Sequence, residues 1–233
     1  MAVLIQALVE AWRLLLGADA DLLLIVGTTF RVTGGALLLA AVIGLPIGVG
    51  LGLREKAPAA GVLLPLIYTG MGLPPVVVGL VVYLFLSNQG VLGSLQWLFT
   101  IQAMILAQTV IALPLVVGLT FTAVHSVDPG LRLQVRALGA TPWQLAWAIV
   151  SEARLGVLAA VVAAFGSVIS EVGAVMLVGG NIEGQTRVLT TAIVLETRQG
   201  HFALALALGV ILLSLAFVAN LLLYHWQRRG VAR

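Results

Sequence analysis

No cysteine occurs in the 233 residues, which excludes thiol nucleophiles, disulfides and thiolate metal sites and leaves the redox compartment unspecified. Charge is nearly as scarce. Aspartate, glutamate, lysine and arginine make up 9% of the chain, where soluble domains carry roughly a quarter. Apolar residues reach 61%, with a mean hydropathy of +1.14. No soluble fold accommodates that composition, so the chain reads as an integral membrane protein. Polar stretches long enough for another domain are missing, because none exceeds about thirty residues and a domain needs at least about fifty. No GxxxxGK[ST] loop is present, so the chain cannot cradle ATP phosphates by that route. His125, His201 and His225 are scattered at the ends of apolar runs, leaving no catalytic or metal cluster to propose. A basic segment ahead of the first apolar run is also lacking, so the N-terminus does not read as a signal peptide. Instead Leu4, Leu8, Trp12 and Leu15 recur at helical spacing opposite Gln6, Glu10, Arg13 and Gly17. That pattern predicts an amphipathic helix in the membrane interface, within a segment 1–30.

What is abundant is apolar sequence in long runs. A spanning helix needs about 20 such residues, and five segments qualify, at 32–53, 58–86, 101–124, 155–178 and 202–224. Residues 31–233 are therefore expected to form one all-α polytopic domain whose main partner is the lipid bilayer, with no nucleic acid. Its cations fix the expected orientation. With the N-terminus outside, Arg54, Lys56, Arg132, Arg136, Arg154, Arg228, Arg229 and Arg233 fall inside, and only Arg13, Arg31, Arg187 and Arg198 fall outside. The loop 125–154 and the C-terminus are then cytoplasmic, and 179–201 faces outward or folds back into the membrane.

Two regions depart from simple spans. Consecutive Pro74 and Pro75, after Thr69-Gly70-Met71-Gly72-Leu73, remove backbone donors and disfavour helix before them. Either a packing kink or a break lining a pathway follows. Loop 125–154 carries its own helix signals. Asp128-Pro129 is a cap followed by a first-turn proline, and Gly139 stops that helix. Thr141-Pro142 starts a second short helix through Trp143, Leu145, Trp147 and Ile149, giving a rigid protruding knob.

At these residues the chain resembles the permease subunits of bacterial ATP-binding-cassette importers. Their docking loop reads Glu-Ala-Ala, three residues, Gly, nine residues, Ile, one residue, Leu-Pro. Gly139 and Ile149 keep that spacing, and Leu138-Gly139-Ala140-Thr141-Pro142-Trp143 is similar to the family's corner. Leu133-Gln134-Val135 replaces Glu-Ala-Ala and Ser151-Glu152 replaces Leu-Pro. The stretches Met71–Gly79, Ser151–Arg154 and Ile169–Thr197 are similar to permeases of the tungstate type, related to those for molybdate. The resemblance implies a type I importer permease fold with cytoplasmic coupling helices, in a bacterial or archaeal cytoplasmic membrane. It implies a homodimer, two cytoplasmic ATPase subunits that bind ATP and magnesium, and an extracytoplasmic oxyanion-binding protein. The chain itself would be no enzyme and hold no cofactor. The coupling residues it implies are Asp128, Pro129, Arg132, Arg136, Leu138, Gly139, Ala140, Thr141, Pro142, Trp143 and Ile149.

A dianion crossing hydrocarbon needs hydroxyls, amides and backbone donors rather than fixed charges that trap it. Ser167, Ser170, Asn181, Gln185, Thr186, Thr190 and Thr191 are the candidates beside the Pro74-Pro75 break, although such hydroxyls as often bond back to their own helix. Glu171 is the one acid well inside a span and so should be paired or wet. An ion pair with Arg187 or Arg31, holding an outer gate shut, is the expectation. For Arg31 itself, snorkelling to the interface comes ahead of attracting an anion. An ATP-independent secondary transporter or channel, and a membrane-embedded enzyme, are the alternatives from other classes. The first has Glu171 alone for ion coupling, and the second has no visible nucleophile and base.

Overall fold

The computed structural model describes residues 20–54 and 60–231 together with 9, 12 and 17; most of the expected interfacial helix lies outside them. Among the described residues the elements in order are α1 (Ala20–Gly52), α2 (Ala60–Met71), α3 (Pro75–Leu86), a 3-10 turn (Gly93–Leu95), α4 (Ile101–His125), α5 (Pro129–Ala137), α6 (Pro142–Ile169), α7 (Gly173–Gly179), α8 (Leu189–Arg198) and α9 (Phe202–Val231). Helices α1, α4, α6 and the Phe202–Leu222 part of α9 are long and apolar enough to cross a bilayer. Helices α2 and α3 make a fifth candidate span, with their axes bent by 101° at the break. An all-α polytopic fold is thus what the chain adopts.

Several boundaries differ from those read off hydropathy. Helix α1 begins at Ala20, not near 32, because Arg31 interrupts an apolar run without interrupting a helix; arginine is a good helix former, and Asp21 in the first turn suits the helix dipole. The second knob helix is not short. It continues from Pro142 to Ile169, because Ser151, Glu152 and Arg154 are polar but contain no helix stop. The expected span 155–178 is instead interrupted at Ser170–Val172 and resumes as the single-turn-plus α7. Nor is 179–201 a plain loop, since it contains α8.

The described residues of Met1–Ala36, Pro74–Gln108 and Gly166–Arg233 form one compact unit, and those of Leu37–Leu73 and Thr109–Phe165 form another. In the first, α8 and α9 pack together around Leu189, Ala192, Ala207, Leu208 and Ile211, joined by Leu22 of α1. Thr29 ties α1 to α8, its hydroxyl donating to Ile25 O (2.7 Å) and accepting from Leu189 N (3.0 Å). Helix α3 lies on α7, burying Val78 and Val82 against Ala174, Val175 and Val178. Gln108 Nε2 of α4 donates to Val168 O at 2.9 Å.

In the second unit one stripe sets the geometry. Gly44, Gly48 and Gly52 recur every fourth residue on the buried face of α1. A Cβ on them would lie 2.9 Å from Val116 Cγ1, 2.7 Å from Thr120 Cβ and 2.7 Å from Val124 Cβ respectively. The two backbones approach as closely as small residues permit, the usual way helices associate where water supplies no driving force. Replacing Gly48 by valine is expected to cost about 1–3 kcal/mol, read as a lowered melting temperature of the detergent-solubilised chain. Gly50→Val is the control, because a Cβ there meets nothing within 4 Å; equal effects of the two would disprove the stripe.

Candidate functional site

The corner between α5 and α6 is built by local capping. Gly130 N donates to Asp128 Oδ1 at 2.9 Å, and Pro129 occupies the first turn, where no amide is needed. At the other end Gly139 takes φ +80°, and Gly139 N and Ala140 N donate to Arg136 O (2.9 Å) and Val135 O (3.3 Å). A residue with a Cβ is strained in that left-handed conformation. The next helix opens with a reciprocal box. Thr141 N donates to Gln144 Oε1 (2.8 Å), and Gln144 N to Thr141 Oγ1 (3.4 Å).

The residues of this corner divide into two faces. Leu131, Leu145 and Ile149 turn inward against Val124, Val127 and Ala153. Leu133, Leu138, Trp143 and Trp147 turn outward, Leu138 being 88% and Trp143 78% exposed. Asp128, Pro129, Arg136, Gly139, Thr141 and Pro142 are also exposed. A groove of about 530 Å³ beside the corner is lined by Asp128, Gln134, Glu152 and Gly156 among others.

Arg132 is not a solvated loop cation. It is 6% exposed, and its guanidinium donates to Leu53 O (3.2 Å), Gly52 O (3.2 Å) and Val124 O (2.8 Å). These carbonyls end α1 and lie in the last turn of α4, where helical acceptors lack intrahelical donors and a cation suits the dipole. Sequence reasoning placed Arg132 with the other loop cations. The signal was its position between Leu131 and Val135, on the inward stripe of α5. Ile149, 1% exposed, likewise serves the interior of the corner.

The polar residues expected along a path are mostly occupied by backbone. Thr186 Oγ1 donates to Gly179 O (2.6 Å) and accepts from Ile182 N (2.9 Å). Thr191 Oγ1 accepts from Val188 N (3.1 Å) and caps α8, and Thr190 Oγ1 donates to Glu171 O (2.9 Å). Ser170 Oγ bonds back to Gly166 O and Ser167 O. Asn181 sits at φ +52° with its Oδ1 buried and without a partner among the described residues. Gln185 is exposed, as is Pro74. Pro74 O begins α3 by accepting from Val77 N and Val78 N.

The expected ion pair of Glu171 is not formed. Glu171 stands at the break between α6 and α7, and its Oε1 accepts from Ala174 N at 2.9 Å, closing an orphan amide in the first turn of α7. Arg187 pairs instead with Glu183 at 3.5 Å, four residues earlier in a tight loop that turns at Gly184 (φ +73°).

Substitutions at two residues separate structural from passive roles. Arg132→Ala is expected to destabilise by at least about 3 kcal/mol, since it strands three carbonyls at once; a melting temperature within error of wild type would refute the clamp. Glu171→Gln keeps an acceptor for Ala174 N and should leave stability unchanged, whereas Glu171→Ala should cost about 1 kcal/mol, the size of a lost cap. Equal loss in both would point to the charge rather than the cap.

Comparison with known proteins follows the same architecture. Residues 44–230 match the family described as binding-protein-dependent transport system inner membrane component. A probable anion ABC transporter permease protein of Haloferax volcanii is 46% identical over 214 residues, covering 90% of this chain and 92% of that one. The tungstate uptake system permease protein TupB of Peptoclostridium acidaminophilum is 38% identical, covering 93% and 95%. Among solved structures, a permease chain of the MetNI methionine ABC transporter in an inward-facing form superposes with a TM-score of 0.70 at 19% identity, covering 91% of this chain and 98% of that one. With the family model matched over most of its length, the chain belongs to the inner membrane components of binding-protein-dependent transport systems.

Proposed function

We propose that two copies of this chain form the membrane core of an ATP-binding-cassette importer for a tetrahedral oxyanion, tungstate foremost and molybdate next. In this reading the N-terminus is outside, and 31–233, together with the α1 residues from Ala20 that run into it, is the permease domain. The corner between α5 and α6 faces the cytoplasm and docks an ATPase subunit that carries ATP and magnesium. An extracytoplasmic binding protein delivers the anion.

The carrying observation is the outward face of the corner. Leu138 and Trp143 are 88% and 78% exposed on helices whose inner faces are fixed by Arg132 and Ile149. Large apolar side chains held rigidly in the open need a partner surface. The names of the relatives at 46% and 38% identity supply the substrate class. ATP-driven approach of the two ATPases would draw the corners together and switch access across the membrane. The break at Pro74-Pro75, Ser167, Ser170 and Asn181 are the proposed path residues, with Glu171, Thr186, Arg187, Thr190 and Thr191 shaping the backbone around it.

Co-expression with a candidate importer ATPase and an oxyanion-binding protein tests the reading. Wild type should co-elute with the ATPase and show vanadate-sensitive ATP hydrolysis stimulated by the tungstate-loaded binding protein. Leu138→Asp combined with Trp143→Ala should reduce co-elution by about thirty-fold, the loss of one interface hot spot of about 2 kcal/mol. Undiminished co-elution would remove the corner as the docking element.

A further inference from the structure

We propose that the cleft lined by Thr28 and Arg31 of α1, Thr100 and Gln102 at the start of α4, and Gln185 is a binding site for a tetrahedral oxyanion. The proposal rests on the oxyanion reading above and gives it a site within the chain. The cleft measures about 380 Å³. With a water occupying about 30 Å³ of liquid, it accommodates such an anion together with part of its hydration shell.

Its charge has one sign. Arg31 is exposed and, among the described residues, has no carboxylate within ion-pair distance and no hydrogen bond. A guanidinium offers a planar fork of donors that fits tetrahedral oxyanions in pairs. Asp21 and Glu183 line an adjoining, smaller cleft that shares Leu24, Thr28, Gly184 and Gln185 with this one and is closed by Arg187, to which Glu183 is bound.

A second observation is independent of the charge. Thr28 is 4% exposed and lines the cleft, yet among the described residues its hydroxyl makes no hydrogen bond. The adjacent Thr29 uses its own hydroxyl both as donor and as acceptor. The Thr28 hydroxyl is thus open to a ligand or water in the cleft. The first turn of α4 adds amides without intrahelical acceptors at Ile101 and Gln102. Arg31, Thr28 and the two glutamine amides therefore converge as donors around one space, with a single fixed charge, which binds a dianion without neutralising it.

Because the chain has no cysteine, a lone reporter can be placed there. Gln102→Cys, and separately Gln185→Cys, in the full chain in phosphatidylcholine nanodiscs are labelled with an anionic methanethiosulfonate. Millimolar tungstate or molybdate should slow labelling several-fold. Adding Arg31→Gln should abolish that protection and slow the anionic reagent about ten-fold, the lower end of electrostatic focusing in a cleft, with little change for a neutral reagent. Repeating the experiment with phosphatidylglycerol in the disc separates a lipid phosphate from a free oxyanion. Protection by the lipid but not by tungstate overturns the proposal, as does labelling of both reporters that neither tungstate nor Arg31→Gln alters. Protection is read on the permease alone and oxyanion import on the assembled complex, so the site and the transport reading fail separately.

Discussion

One guanidinium collects the loose carbonyls of two helices. Arg132 donates to Gly52 and Leu53 at the end of α1 and to Val124 near the end of α4, and so seats α5 on both. The arrangement works only because the two carbonyl sets are already close. Gly52 and Val124, whose carbonyls share Nη2 of Arg132, are also the last contact of the glycine stripe between α1 and α4. Backbone proximity set by three missing side chains thus creates the acceptor cluster, and the arginine converts it into a fixed platform for the corner.

The same economy of polar groups governs the other unit. Backbone that leaves the helical path needs donors and acceptors from elsewhere. Glu171, Thr186, Thr190 and Thr191 supply them at the breaks flanking α7 and α8. Side chains that look like substrate ligands by type are therefore structural by position.

Local signals were readable in the sequence and long-range ones were not. Asp128-Pro129, Gly139 and Thr141-Pro142 act within one turn, and the structure places caps and the left-handed residue there. The continuity of α6 was hidden because hydropathy reports where lipid can lie, not where a helix ends; Ser151, Glu152 and Arg154 are polar and fully helical. The partner of Glu171 was misjudged because the nearest cations lie in a separate loop, while a free amide three residues away satisfies the carboxylate at far less conformational cost. Arg132 was grouped with solvated cations since its acceptors, at residues 52, 53 and 124, are carbonyls that no side-chain pattern announces.

Helix α6 joins the corner to the break before α7. Its 28 residues from Pro142 to Ile169 span about 42 Å at 1.5 Å per residue, and the exposed Trp143 stands on its first turn. From that tryptophan the helix runs unbroken to Ile169, and Ser170 to Val172 are the first residues to leave it. That interruption is the place where Glu171 Oε1 accepts from Ala174 N and holds the first turn of the next helix.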